Sequence, residues 1–309
     1  MFQQDALTLG VFFPIESFEH DRPKMLRQKE LAQLAEESGF AALWFRDVPL
    51  RDPTFGDIGQ VFDPWVYLGY MTAFTKNIAL ATGSIILPLR HPVHTAKAAA
   101  SVDQLSKGRL VLGIASGDRT IEFPAFGADH EHRGEDFREH IRYFDALLEE
   151  EFPNVSTGYG GLAGDADLVP KPWGGRIPRL VTGNSRQEIE WIVENSHGWI
   201  TYPRTLTRQR EVAAEWRRLA ASISPNEFKP FSQSLYIDLD AQPDAPAVPI
   251  HLGYRLGRNA LMEFLDALRA AGVNHVALNL KYGRRSAKVV LEEIAKYVLP
   301  QFPANKSNG

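Results

Sequence analysis

Short apolar runs alternate with longer segments of helical period along the whole chain. Residues 7–14 (LTLGVFFP) read as a first strand. Residues 22–39 follow with Leu26, Leu31, Leu34 and Ala35 at helical spacing and Gly39 as a stop. Residues 40–45 (FAALWF) are a fully apolar second strand. Asp63 and Pro64 open the next helix as N-cap and first helical residue. Residues 77–84 (NIALATGS) form a third strand, and 91–108 a helix closed by Lys107 and Gly108. A fourth strand at 109–117 (RLVLGIASG) precedes a long amphipathic helix at 133–151. The second half continues with strands at 178–183, 199–202, 230–240 and 274–280, each with a helix after it. Eight strand–helix units predict an α/β chain folded as one (β/α)8 TIM barrel domain over residues 1–309, with a doubly wound open sheet as the alternative. Residues 151–178 and 239–257 are rich in Gly and Pro, break the repeat, and read as loop insertions of the kind active sites use.

Composition narrows the chemistry. The chain has 309 residues, of which 44% are hydrophobic and 23% charged, enough for a large core without staples. Net charge is −4 and not gathered in one run, which argues against a nucleic-acid or anionic-membrane surface. There is no cysteine, so disulfides, thiolate metal sites and cysteine nucleophiles are excluded. No secretory leader and no stretch of membrane-spanning length is read, in keeping with a cytoplasmic protein.

In a barrel, chemistry sits at the C-terminal ends of the strands. Those ends carry Trp44, Arg46 and Asp47; Gly83 and Ser84; Ser116, Gly117, Asp118 and Arg119; Thr182, Gly183, Asn184 and Ser185; Tyr202 and Arg204; Asn279 and Lys281. Small residues dominate the third, fourth and fifth strand ends, where a planar ligand can approach the backbone. In "TGNSRQEIE", Gly183, Ser185 and Arg186 meet a helix start, which makes either an anion site or a plain serine cap. His91 and His94 open a helix and read as neutral packing groups. His130, His132 and His140 lie near acidic residues, as a metal cluster or as a solvated face. Arg46 and Asp47 are either a pair at the site rim or surface charges. No nucleophile elbow, P-loop or HExxH is present, and no catalytic residue is identified.

The run from Ser84 to Gly127, with "LPLRHPV", "DQLSKGR", "LGIASG" and "EFPAFG", resembles the bacterial luciferase-like flavin monooxygenase family, nearest to a luciferase-type oxidoreductase subgroup. "ALWFRD" before it and "VTGNSRQEIEWIVENSHGW" after it fit the same family in order. The resemblance implies a barrel that binds FMN at the strand ends, with reduced flavin supplied by a separate reductase and spent with oxygen on a small organic substrate. It places Gly83, Ser84, Ser116, Gly117, Gly183, Ser185 and Arg186 at the cofactor, with Glu188 nearby, and implies a cis peptide at Gly83-Ser84 beneath the flavin ring. It also implies a homodimer built on helices of the first half. Two positions depart from the luciferases. Val48 stands where they have a histidine, and Ser116 where they have a phosphate-binding arginine, which leaves Arg133 as the candidate for the missing charge. The expectation is an FMN-dependent two-component monooxygenase without a bound metal. A deazaflavin-dependent reductase on the same barrel, or a flavin-binding protein without turnover, are the rivals. Substrate choice is expected to lie with loops 46–62, 151–178 and 239–257.

Overall fold

A computed structural model describes residues 1–55 and 59–304. Residues 56–58, part of the 46–62 loop, lie outside the described residues. Among those described, eight parallel strands close on themselves in chain order: β1 (Thr8–Phe12), β2 (Ala42–Phe45), β3 (Ala79–Thr82), β4 (Leu110–Ala115), β5 (Arg179–Thr182), β6 (Gly198–Thr201), β7 (Phe231–Leu239) and β8 (His275–Asn279). β8 pairs with both β7 and β1, so the sheet has no free edge there and the open-sheet alternative falls away. The outer ring consists of α1 (Gln28–Ser38), α2 (Pro64–Thr72), α3 (Pro92–Ser106), α4 (Arg133–Glu149), α5 (Ile189–Asn195), α6 (Leu206–Ile223), α7 (Arg258–Ala271) and α8 (Ala287–Glu293).

The period of two along each strand sorts side chains into two cores. Leu9, Val11, Leu43, Phe45, Leu110, Leu112, Ile114, Val276 and Leu278 pack outward in the helix-facing cluster. Phe12, Ala42, Trp44, Ala81, Val111, Leu180, Ile200 and Ala277 fill the barrel interior. Each fully buried Leu, Ile or Phe contributes about 1.5–3 kcal/mol over an exposed one, so a core this size holds the fold without cross-links.

Local signals set most helix ends. The Asp63 carboxylate accepts from the Trp65 and Val66 N–H groups, and Pro64 takes the first position of α2. His91 caps α3 through its ring nitrogen, and Lys107 ends that helix in a left-handed turn. One expectation fails here. Leu26 is not on the buried stripe of the first helix but 63% exposed, because Met25 and Arg27 adopt positive φ and the helix begins only at Gln28.

Both insertions contain hairpins, not structureless loops. Asn154–Thr157 pairs with Gly160–Ala163 around a two-residue turn. The segment then follows α3: His91 Nε2 donates to the Tyr159 carbonyl at 3.0 Å, Gln104 Nε2 to the Lys171 carbonyl at 2.9 Å, and the Trp173 N–H to Asp103 at 2.8 Å. Residues 151–178 therefore cover helices, which removes them from the expected substrate loops. In the second insertion, Val248–Ile250 and Gly253–Leu256 extend the sheet beside the C-terminal half of β7, and so stay at the mouth.

Candidate active site

The barrel throat is plugged by a hydrogen-bonded chain. Trp44 Nε1 donates to His275 Nε2 at 2.9 Å, and His275 Nδ1 lies 2.8 Å from Thr8 Oγ1. An indole N–H only donates, so Nε2 accepts and Nδ1 carries the ring proton. Burial holds this imidazole neutral, with its pKa pulled down to about 3. Gly10 leaves the space for the pair, since a Cβ there would stand 2.7 Å from both nitrogens.

Directly above the plug, Gly83 follows the end of β3. A Cβ on Gly83 would meet the Phe12 and Trp44 rings at 3.0–3.1 Å. The Gly83-Ser84 peptide is cis, as the resemblance implies. The Gly83 N–H donates to the Phe45 carbonyl at 2.7 Å, and the Ser84 and Thr182 hydroxyls bond to each other. Thr82 Oγ1 donates to the Gly113 carbonyl at 2.7 Å. The close approach of the two strands there demands glycine: a Cβ at Gly113 would fall 1.9 Å from the Thr82 backbone carbonyl oxygen.

The ends of β4, β5 and β6 come together around a cationic corner. Ser185 Oγ accepts from the Ser116 N–H at 3.2 Å and donates to the Thr182 carbonyl at 2.8 Å. Gly183, Ser185 and Arg186 all have left-handed φ, a backbone form that gathers N–H groups into anion-binding concavities. The Arg186 stem lies on Gly134, whose added Cβ would be 2.7 Å from that of Arg186. Gln187 locks the loop there, donating to the Gly134 carbonyl at 2.9 Å and accepting from Arg138 at 2.9 Å. Arg133 starts α4 beside Arg186. Its Nη1 bonds the His130 carbonyl, while its Nε is buried without a hydrogen-bond partner among the described residues. Burial, and then the charge of Arg186, push the Arg133 pKa down. Tyr202 stands against Gly183, and burial followed by the charge of Asp118 raises its phenol pKa.

This corner revises the sequence reading of the fifth strand end. Ser185 is not the cap of α5, which begins at Ile189 with Glu188 before it. A seven-residue helix starting three residues beyond Arg186 supplies no anion site, and the loop docks on the first turn of α4 instead. Gly117 contributes at a distance: a Cβ on it would strike Ile86 at 2.8 Å and Phe123 at 3.0 Å, so it packs the turn after β4 onto the segment after Ser84.

The β2 end splits into two unrelated roles. Asp47 is buried and takes two bonds from Arg90 at 2.7 and 2.8 Å and one from the Ile86 N–H at 3.1 Å. It is neither paired with Arg46 nor a surface charge; it anchors the segment following Ser84. Arg46 lies over the Phe12 ring at 5.8 Å. Arg204 turns to Gln209 on α6 at 3.2 Å, and Asn279 accepts from the Lys281 N–H at 3.0 Å. His91 donates and accepts as a capping residue, in line with the packing expectation. His132 lies on the solvated side, His130 packs its ring edge-on against Phe123, His140 is buried against Phe144, and no three His, Asp or Glu side chains converge among the described residues.

Sequence reasoning missed Glu122, Gly134, Gln187 and the Trp44–His275 pair. Glu122 is 2% exposed, and burial raises its carboxyl pKa to about 6. A carboxylate set between Ile121 and Phe123 in a short apolar turn is the signal that marks it.

Comparison with known proteins bears on the family and the barrel. The family model described as luciferase-like monooxygenase matches residues 7–244. An uncharacterized protein of Mycobacterium tuberculosis is 33% identical over 192 residues, covering 56% of this chain and 66% of that protein. An alkanal monooxygenase alpha chain of Photorhabdus luminescens is 34% identical over 105 residues, covering 34% of this chain and only 28% of its own length. Among solved structures, the monooxygenase RslO1 from Streptomyces bottropensis superposes with a TM-score of 0.77 at 18% identity, covering 95% of this chain and 99% of that one. An F420-dependent secondary alcohol dehydrogenase gives 0.77 at 16% identity over 97% and 100%. The FMN-bound oxygenating constituent of 3,6-diketocamphane monooxygenase from Pseudomonas putida gives 0.72 at 17% identity over 97% and 100%. At these identities the structures speak for the barrel alone.

Proposed function

The chain belongs to the luciferase-like monooxygenase family, and from that premise we propose that it is an FMN-dependent oxidoreductase, a two-component monooxygenase acting on a small organic substrate. The observation that carries the cofactor is the Arg133–Arg186 corner. A buried guanidinium nitrogen without a partner, beside a second guanidinium and a left-handed loop, fits a phosphate dianion. Arg133 and Arg186 would hold the phosphate, with Ser185 fixing their loop to β4. Gly83 and Ser84 would support the ring system above the Phe12–Trp44 plug. Reduced FMN, when bound, supplies the electrons that activate oxygen. The chain's own contribution is to seat the ring, close the throat to water through the Trp44–His275 plug, and keep the phosphate corner rigid.

The remaining readings follow from this one. Reduced flavin would come from a separate reductase in the cytoplasm; among the described residues no helix is long and apolar enough to cross a membrane. A homodimer would use α2, where Val66 and Tyr70 are exposed apolar residues four apart, with exposed Phe62 just before the helix. A deazaflavin also carries a phosphate, so the test must separate the two cofactors. Protein supplied with chemically reduced FMN should accelerate oxygen uptake in the presence of substrate, and should emit no light with a long-chain aldehyde, since Val48 replaces the luciferase histidine. Tight binding of reduced deazaflavin with no oxygen uptake from FMN would overturn the assignment.

A further inference from the structure

Glu122 differs from the other buried carboxylates at the barrel mouth. It sits in the turn Thr120–Phe126 that follows β4. Asp47 and Asp238 have their oxygens taken, the first by Arg90 and the Ile86 N–H, the second by Arg255 and Arg284. Both are structural ion pairs. Glu122 is as buried as they are, yet its Oε1 has no hydrogen-bond partner among the described residues. A carboxylate kept only for structure would not leave one buried oxygen without a protein partner, because that costs more than an apolar side chain of the same size.

The surroundings explain both its position and its proton affinity. Phe123, 1% exposed, wedges against Gly117 and pins the turn, and the Glu122 N–H donates to the Arg119 carbonyl at 3.1 Å. From the loop after β2 it faces Asp47, already neutralised by Arg90, and the Leu50 N–H; from its own turn it faces Arg119 and Asp118. Burial outweighs the favourable charge of Arg119 and lifts the carboxyl to about 6. Its neighbours Asp47 and Leu50 flank Val48, the place where the luciferase resemblance calls for a histidine. A chain without that imidazole therefore brings a carboxyl of similar proton affinity to the same loop.

We propose that Glu122 is the proton-exchanging group of this site, taking a proton from the molecule held in the mouth and releasing it to water, with no electrons moved in the step. The proposal rests on the mouth being the catalytic site described above. A pKa near the working pH is what such a group needs.

The test begins with flavin-free protein. With glutamate labelled at Cδ by 13C, one carboxyl resonance should titrate with a midpoint near 6 and be missing from Glu122→Gln. If that variant fails to fold by circular dichroism, Glu122→Asp provides the assignment, because aspartate carries no labelled Cδ and the same resonance disappears. In the second arm, flavin-dependent oxygen uptake should show an acid limb near pH 6 that disappears in Glu122→Gln, with a loss of roughly 100-fold above it. FMN affinity should stay within about twofold. A midpoint below about 5 with normal FMN binding would overturn Glu122 alone. A midpoint near 6 without FMN binding would overturn the flavin assignment alone. Retention of both rate and acid limb in Glu122→Gln would overturn the proposal outright.

Discussion

Ser185 joins two strand ends, accepting from the Ser116 N–H 69 residues away at 3.2 Å while donating to the Thr182 carbonyl at 2.8 Å. The hydroxyl thus spans β4 and β5 beneath the cationic corner. Ser185→Ala leaves the buried Ser116 N–H without an acceptor, which costs about 1–3 kcal/mol. Urea unfolding should show that loss, and FMN affinity should fall by about tenfold as the loop loosens.

Asp47 should prove a structural residue. Its side chain is 2% exposed and Arg90's is 22%. Asp47→Ala leaves the Arg90 guanidinium with Asp63 alone, at 3.1 Å, and removes the acceptor for Ile86, a change of about 1–3 kcal/mol. The urea midpoint should drop accordingly. A loss of FMN binding without any loss of stability would count against this role.

Glu122 gives stability the opposite pH sign to an ordinary ion-paired carboxylate. Its folded pKa, about 6, lies above the unfolded glutamate value. The contribution is therefore complete below about pH 4.3 and is lost as pH rises through about 6. Glu122→Gln should be more stable than the parent by about 1–2 kcal/mol at about pH 7.5, with the gain vanishing at about pH 4.5. Urea titrations at the two pH values check it.

Three buried histidines act the other way. Burial lowers His275 and His140 to about 3 and His197 to about 4. The unfolded chain takes up protons below about pH 6.5 that the folded chain refuses, so stability is full above that value and is lost as pH falls towards the folded values. Between about pH 7.5 and about pH 5.5 the loss should be about 3 kcal/mol, with the half-buried His197 counting least. His275→Gln should flatten the slope measured by urea unfolding.

The barrel was legible because its signal is local and repeated. Runs such as "ALWF" and "RLVLGIA" alternate with capped amphipathic helices, and Asp63-Pro64 acts at its own helix start. The site was legible only in part. Gly83 and Ser84 stand out as small residues at a strand end, and Ser185 and Arg186 as an anion-suited pair. What could not be read was which helix receives that loop, because Gly134 and Gln187 meet across 53 residues. The same holds for Asp47, whose partner is Arg90 on a later segment and not the adjacent Arg46, and for Trp44 and His275, which touch only because the barrel closes. Residues 151–178 misled for a related reason. Gly and Pro mark turns, but nothing in their spacing says that the hairpin covers helices and not the mouth.

The central claim is that Arg133 and Arg186 hold the phosphate of FMN, and the direct measurement is fluorescence titration of the flavin-free protein with FMN and with riboflavin, which differ only in that phosphate. The account predicts quenching by FMN with a dissociation constant on the order of micromolar and riboflavin weaker by at least about tenfold. Equal affinity for riboflavin would contradict it, because the phosphate corner would then contribute nothing.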